Sequence, residues 1–165
     1  MSGHKLGFKQ ALLPAEIERF WQMWPRYIEE DLAPYGDPPM GESERAELLS
    51  FAHRDRWRKL SQRPVDPARL ELMTLDGKVA GFVIYVIYHS EDGKCLIAEY
   101  CLLPEHRGKG LGRQFYEALE NRLRQQGAGY FVLENQNPPS RAFWAGLGFI
   151  EDKGYAWSEN AWVKQ

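Results

Sequence analysis

The sequence predicts a single α/β domain, a mixed and mostly antiparallel central sheet flanked by helices, and three observations carry that prediction. The chain of 165 residues is 44% apolar, long enough to bury one core and too short for two ordinary ones. Apolar residues recur at helical spacing near the start and again after residue 110, whereas between 69 and 103 they follow strand patterns. A glycine-rich turn, "HRGKGLG" at 106–112, separates the strand block from a helical stretch.

A short strand is expected at 6–11. Pro14 then suits the first turn of a helix with apolar positions Ile17, Phe20, Trp21 and Trp24, because its missing N–H costs nothing there. Pro34, Pro38 and Pro39, with Gly36 and Gly41, break that helix. Ser43 is expected to cap a second one, which carries Ala46, Leu49, His53 and Trp57 at helical spacing. Leu70, Leu72 and Thr74 alternate with Glu71 and Met73, and Asp76–Gly77 is a strong hairpin signal. The following "VAGFVIYVIY" is apolar on both faces, as in a strand covered on both sides. "SEDG" at 90–93 returns the chain into "KCLIAEYCLL", which Pro104 ends, so 69–103 reads as an antiparallel meander. Beyond the glycine turn, Leu111, Phe115, Leu119 and Leu123 mark a helix that Gly127 can close. A strand over "GYFVLEN", a short helix over "PSRAFWAGL" and a final hairpin over 148–164 complete the order.

Charge and composition exclude several function classes. With 21 basic and 23 acidic side chains the formal net charge is −2, which gives no general attraction to nucleic acid or to an anionic membrane surface. No apolar run reaches membrane-spanning length, and the first ten residues carry neither a signal nor a transit pattern, so the cytoplasm is the expected location. Cys95 and Cys101 fall too far apart on one extended strand for a disulfide and are expected as free thiols. The histidines and cysteines show no metal-ligand spacing, so no metal is expected. The tryptophans, among them Trp21, Trp24, Trp57 and Trp162, are assigned mainly to the core.

The glycine turn has the physical make-up of an anion cradle. Glycine permits positive φ and close backbone approach, and a helix start offers unpaired N–H groups at the positive end of its dipole. The competing reading is a tight connection with solvated Arg107 and Lys109. Two phosphate motifs are excluded by spacing: the glycines run G-x-G-x-G after an antiparallel meander rather than G-x-G-x-x-G, and Lys109 is followed by Gly110 rather than Ser or Thr.

Arg107, Gly110 and Gly112, preceded by Pro104–Glu105–His106, match the pattern R-x-x-G-x-G, and here the chain resembles the GNAT-type N-acetyltransferases. "NPPSRAFWAGLGF" at 137–149 resembles that family's other acyl-CoA segment. The resemblance covers 69–163 well and the N-terminal helices loosely. It implies a GNAT-like fold and acetyl-CoA as acyl donor, with pyrophosphate held by backbone N–H groups of Arg107, Gly108, Lys109, Gly110, Leu111 and Gly112, and Arg113 close behind. The pantetheine arm would lie between two splayed parallel strands, along Cys101, Leu102 and Leu103, with Asn137 in contact. His106 is either a further coenzyme A contact or a loop residue.

The reaction this implies is direct attack of a primary amine on the thioester carbonyl. The Leu102 N–H is the expected oxyanion donor. Glu99 is the leading base candidate, the alternative being a strand carboxylate in solvent or in an ion pair. Where the family often has a tyrosine acid, this chain has Trp144, whose indole N–H is not released near neutral pH. Tyr155, Tyr100 or water is then the proton source, and Trp144 either packs on the pantetheine or belongs to the core. Glu29, Glu30, Asp31, Asp37, Glu42, Glu151, Asp152 and Glu159 fall on the acceptor side the resemblance implies and suggest a cationic small-molecule or peptide amine, the alternative being acidic loops that are simply solvated. A non-catalytic acyl-CoA-binding module of the same fold is the second reading, and the resemblance is compatible with a homodimer.

Overall fold

The computed structural model describes residues 3–36, 38–135, 137–155 and 158–165; Asp37 and part of the expected final hairpin lie outside them. Seven strands, Leu6–Gln10 (β1), Arg69–Leu75 (β2), Lys78–Ile87 (β3), Lys94–Leu102 (β4), Tyr130–Glu134 (β5), Ile150–Glu151 (β6) and Ala161–Lys164 (β7), form one sheet of order β1-β2-β3-β4-β5-β7-β6. Neighbours are antiparallel except β4 and β5, which run parallel. The mixed sheet and the 69–103 meander are as the sequence predicts.

The helices are Pro14–Arg26 (α1), Glu42–Leu48 (α2), Phe51–Gln62 (α3), Leu111–Gln125 (α4) and Pro138–Gly146 (α5). Because β3 is apolar on both faces, it anchors two cores. On one face Phe82 and Ile84 meet Phe20, Trp24 and, just beyond α1, Ile28. On the other, Val83 and Tyr85 meet Phe115, Leu119 and Leu123 of α4. Burying each such side chain contributes about 1.5–3 kcal/mol, enough to fix which face each helix covers.

Two helical expectations need correction. The stretch after residue 41 is two helices, not one: Ser43 sits inside the first turn of α2, whose N-cap is Gly41, and the capping serine is Ser50, which accepts the His53 N–H at 3.2 Å. A serine hydroxyl satisfies an orphan N–H only at a helix start, so it breaks the run where it caps. The first helix also does not end at the prolines. Pro25, lacking an N–H, removes one rung of α1, and the chain widens into a π turn over Tyr27–Leu32, followed by a short 3-10 turn over Ala33–Tyr35.

β4 carries the irregularity that builds the site. Tyr85 faces Ile97 while Ile84 faces Glu99, so Ala98 is an extra residue against β3. Such a bulge reverses the alternation of side chains beyond it. Cys95 and Ile97 accordingly pack toward α4, whereas Cys101 packs toward α1 and Glu99 meets Tyr27 on that side. The two cysteines are therefore buried free thiols on opposite faces.

β4 and β5 pair only from Lys94↔Tyr130 to Leu96↔Val132. Beyond that they diverge, β4 continuing to Leu102 and β5 to Glu134, and the glycine turn follows the open end of β4. Among the described residues no helix is long and apolar enough to cross a membrane.

Candidate functional site

At the glycine turn Gly108 and Gly110 hold φ of +77° and +78°, a conformation strained for residues with a Cβ. Gly110 is the N-cap of α4, and the Gln114 N–H bonds its carbonyl at 3.2 Å. The N–H groups of Leu111, Gly112 and Arg113 thus lie ahead of the helical ladder, at the positive end of the helix dipole. Their orientation is pinned from β4, because the Tyr100 hydroxyl donates to the Gly112 carbonyl at 2.6 Å. That engagement makes Tyr100 part of the turn's support. Lys109 is exposed, its Nζ 3.4 Å from the Glu105 carbonyl, and Arg113 pairs with Glu117 one turn on.

The Arg107 side chain is directed elsewhere. Its Nε donates to the Leu102 carbonyl at 2.8 Å, and its two terminal nitrogens reach the Asp31 carboxylate at 2.9 and 2.7 Å.

At the splay, the Leu103 N–H bonds the Ala80 carbonyl at 2.8 Å. Alternation along an antiparallel ladder then turns the Leu102 peptide groups away from β3, toward the gap between β4 and β5. Cys101 and Leu103 direct their backbone to β3 and their side chains to the α1 core. Asn137, the N-cap of α5, donates from Nδ2 to the Asp31 carbonyl at 2.7 Å, while its Oδ1 is buried without a partner among the described residues. Asn135 belongs to no motif of the sequence, yet it joins the site. Its Oδ1 accepts from the Asn137 N–H at 3.1 Å and from Ser140 Oγ at 2.8 Å, which shapes the start of α5.

Trp144 is 8% exposed, packed edge to face against Tyr100, Tyr116, Phe143 and Phe149, so its indole forms part of the core on the α4 side. The Tyr155 hydroxyl stands 3.4 Å from that of Tyr130, which donates to Asp92 at 2.6 Å. Tyr130 is level with Lys94, so Tyr155 joins the paired end of β4 and β5 and is not brought together with Glu99 and Leu102.

Glu99 lies on the α1 side and accepts a hydrogen bond from the Tyr27 hydroxyl. Burial pushes its carboxyl up to about 7; the Tyr27 bond opposes this, and the Glu134 charge at the end of β5 adds to it. Tyr27 in turn is held well above its ordinary value, chiefly by burial and then by Glu99. A carboxyl titrating near neutrality can both accept and release a proton at working pH.

Three of the eight acidic residues expected at the acceptor side are otherwise engaged: Glu29 with Arg45 at 3.2 Å, Glu30 with Arg26 at 3.2 Å, and Asp31 with Arg107. Glu42, Glu151 and Glu159 are exposed. A cavity of about 270 Å³ lined by Gln10, Arg69, Glu71, Tyr85, Arg122 and Gln126 lies elsewhere, at the last turn of α4. At a rise of about 1.5 Å per residue it is roughly 17 Å along that helix from the glycine turn.

The glycine turn thus lies at the mouth of a gap between two parallel strands that part, with the Glu99 carboxyl on the α1 face of β4. Residues 20–149 match the acetyltransferase (GNAT) family, and the chain belongs to that family. It is 36% identical over 76 residues to the streptothricin acetyltransferase of Streptomyces lavendulae, a match spanning 45% of this chain and 40% of that protein's length. Among solved structures, it shares its fold with the PaiA N-acetyltransferase of Thermoplasma acidophilum in complex with coenzyme A (TM-score 0.69, 17% identity, 96% of each chain). It also shares it with the putative acetyltransferase YycN of Bacillus subtilis (TM-score 0.73, 16% identity, 90% of this chain and 94% of that one).

Proposed function

We propose that the protein is an acetyl-CoA-dependent N-acetyltransferase whose acceptor is a primary amine on a small cationic molecule. The observation that carries this is the alignment of three features along one path: the free N–H groups at the start of α4, the outward-turned Leu102 edge, and Glu99 on the α1 side.

The donor supplies an acetyl group activated as a thioester. The turn from Arg107 to Gly112, with Arg113 behind it, would hold the pyrophosphate through backbone N–H groups. Leu102 would pair with the pantetheine amides as an added strand does, flanked by Cys101 and Leu103, and its N–H would polarise the thioester carbonyl. Asn137 Oδ1, buried and unpartnered, suits an amide donor of the same arm. Trp144 would support the arm from beneath through Tyr100 and Phe143.

The amine nitrogen forms its bond to the carbonyl carbon, its proton passes to the Glu99 carboxylate, and the carbon–sulfur bond breaks. A thiol of ordinary pKa, about 8.5, leaves as thiolate without an obligatory acid. Tyr155 would protonate the sulfur only if the 152–155 segment moved from its contact with Tyr130.

Glu99 and Glu134, both on the α1 side and without a cationic partner among the described residues, favour a positively charged acceptor, and streptothricin, for which the 36% identical relative is named, is the first to assay. The test is mass-spectrometric detection of acetylated product from acetyl-CoA with streptothricin and a panel of cationic, neutral and anionic amines. Transfer to cationic amines, reduced about a hundredfold or more in Glu99→Gln, is expected. Coenzyme A binding with no transfer to any amine would favour the non-catalytic module that Trp144, in place of tyrosine, also suits.

A further inference from the structure

Three segments converge on Asp31. Its carboxylate receives both terminal nitrogens of Arg107, from the glycine turn, and its carbonyl receives Asn137 Nδ2, from the start of α5. Arg107 is tied at its other end by Nε to the Leu102 carbonyl, at the open end of β4. A forked guanidinium–carboxylate pair fixes orientation as well as distance. The Asp31 side chain is 20% exposed and that of Arg107 42%, so the pair is half-solvated, and its hold rests on the forked geometry and on the second tie to Leu102.

The segment so held packs Tyr27 and Ile28 into the core but departs from a regular α-helix. Pro25 removes a rung of α1, and the following turn is π-helical, closed by the Ala33 N–H on the Ile28 carbonyl. Tyr27 stands four residues before Asp31 in that turn, and its hydroxyl holds Glu99. Fixing Asp31 therefore fixes the rotation of the turn that aims Tyr27.

We infer that the Arg107 side chain and Asp31 are positioning residues: they clamp the π turn across the open end of β4, so that Tyr27 sets Glu99, and the Arg107 guanidinium is not a phosphate ligand. The inference rests on the proposed function for its purpose, though not for its test. Arg107 keeps its backbone place in the anion cradle; only its side chain is reassigned.

The experiment compares the full chain with Asp31→Asn, Arg107→Gln and the double variant. Coenzyme A binding is read by calorimetry, amide exchange along 27–32 and along α4 by mass spectrometry, and the Glu99 carboxyl by carbon NMR titration assigned with Glu99→Gln. Each single variant is expected to bind coenzyme A within about threefold of the parent. Exchange over 27–32 should quicken about tenfold while α4 is unchanged. The double variant should go little further than Arg107→Gln alone, since that change already removes the contact with Asp31 together with the tie to Leu102. The Glu99 midpoint should fall toward the ordinary carboxylate range as water reaches it.

A loss of coenzyme A affinity of about tenfold or more in Arg107→Gln, with 27–32 still protected, would make the guanidinium a phosphate ligand and overturn the inference. An unchanged Glu99 midpoint despite faster exchange would overturn it equally, leaving a merely structural tie. Failure of the parent chain to acetylate any amine would count against the proposed function and leave these three readouts to decide the clamp.

Discussion

Glu99 combines burial with a titration near neutrality, and both have measurable consequences. As the proposed base it would work only when ionised, so kcat/KM for a cationic amine should rise with pH through a midpoint near 7, and Glu99→Gln should lack that limb. Stability should respond as well. The carboxyl's value in the folded chain, about 7, lies above the unfolded value near 4.5, so the native state holds the proton more tightly. The protein is then most stable, with respect to this group, below the unfolded value, loses stability as pH rises between the two, and levels off above 7. Glu99→Gln should flatten that slope, so that its melting temperature gains on the parent's between pH 5 and 8; parallel slopes would show that burial does not perturb the group. The place of Glu99, three residues before Leu102, was legible from the motif. Its partner Tyr27 was not, because the contact spans 72 positions and depends on the π turn after Pro25 and on the extra residue Ala98. The second has no sequence signature; the run "LIAEYC" shows no break in pattern where the face changes.

At the scale of elements, the site rests on how closely β3 approaches the end of β4. A Cβ on Gly81 would stand 2.1 Å from the Cys101 carbonyl oxygen and 2.7 Å from Met73 Cε. Gly81→Ala must therefore push the strands apart at the residues that line the splay, at a cost of about 1–3 kcal/mol. Both melting temperature and coenzyme A affinity should drop; a variant with the parent's affinity would show that the edge is not read by the ligand. The sequence announced the meander, α4 and the glycine turn because alternation, Asp76–Gly77 and four-residue spacing are local signals. It misplaced the second cap because Ser43 and Ser50 both precede helical patterns, and only packing decides between them. Leu48 and Leu49 pack against the Trp24 core, which turns the chain at Ser50.

For the whole molecule, the defining feature is a continuous sheet with one deliberate opening. Strands β1 to β4 and β5 to β7 are each antiparallel, and the single parallel seam between them is the place where pairing stops early. No periodicity in "GYFVLEN" reveals that its second half is unpaired on the β4 side; the opening was legible only through the resemblance of the segments that flank it. Whether that opening, with the glycine turn at its mouth, holds coenzyme A is read by a thermal-shift titration of the protein with coenzyme A, acetyl-CoA and ATP side by side. A ligand bound only by the native state at a hundred times its Kd stabilises by about 2.7 kcal/mol. For a domain of this size that is a rise of roughly 5–10 °C. Such a rise is expected with coenzyme A and acetyl-CoA and little with ATP, which has the phosphates without the pantetheine arm. No rise with folded protein, or an equal rise with ATP, would contradict a coenzyme A site at that opening.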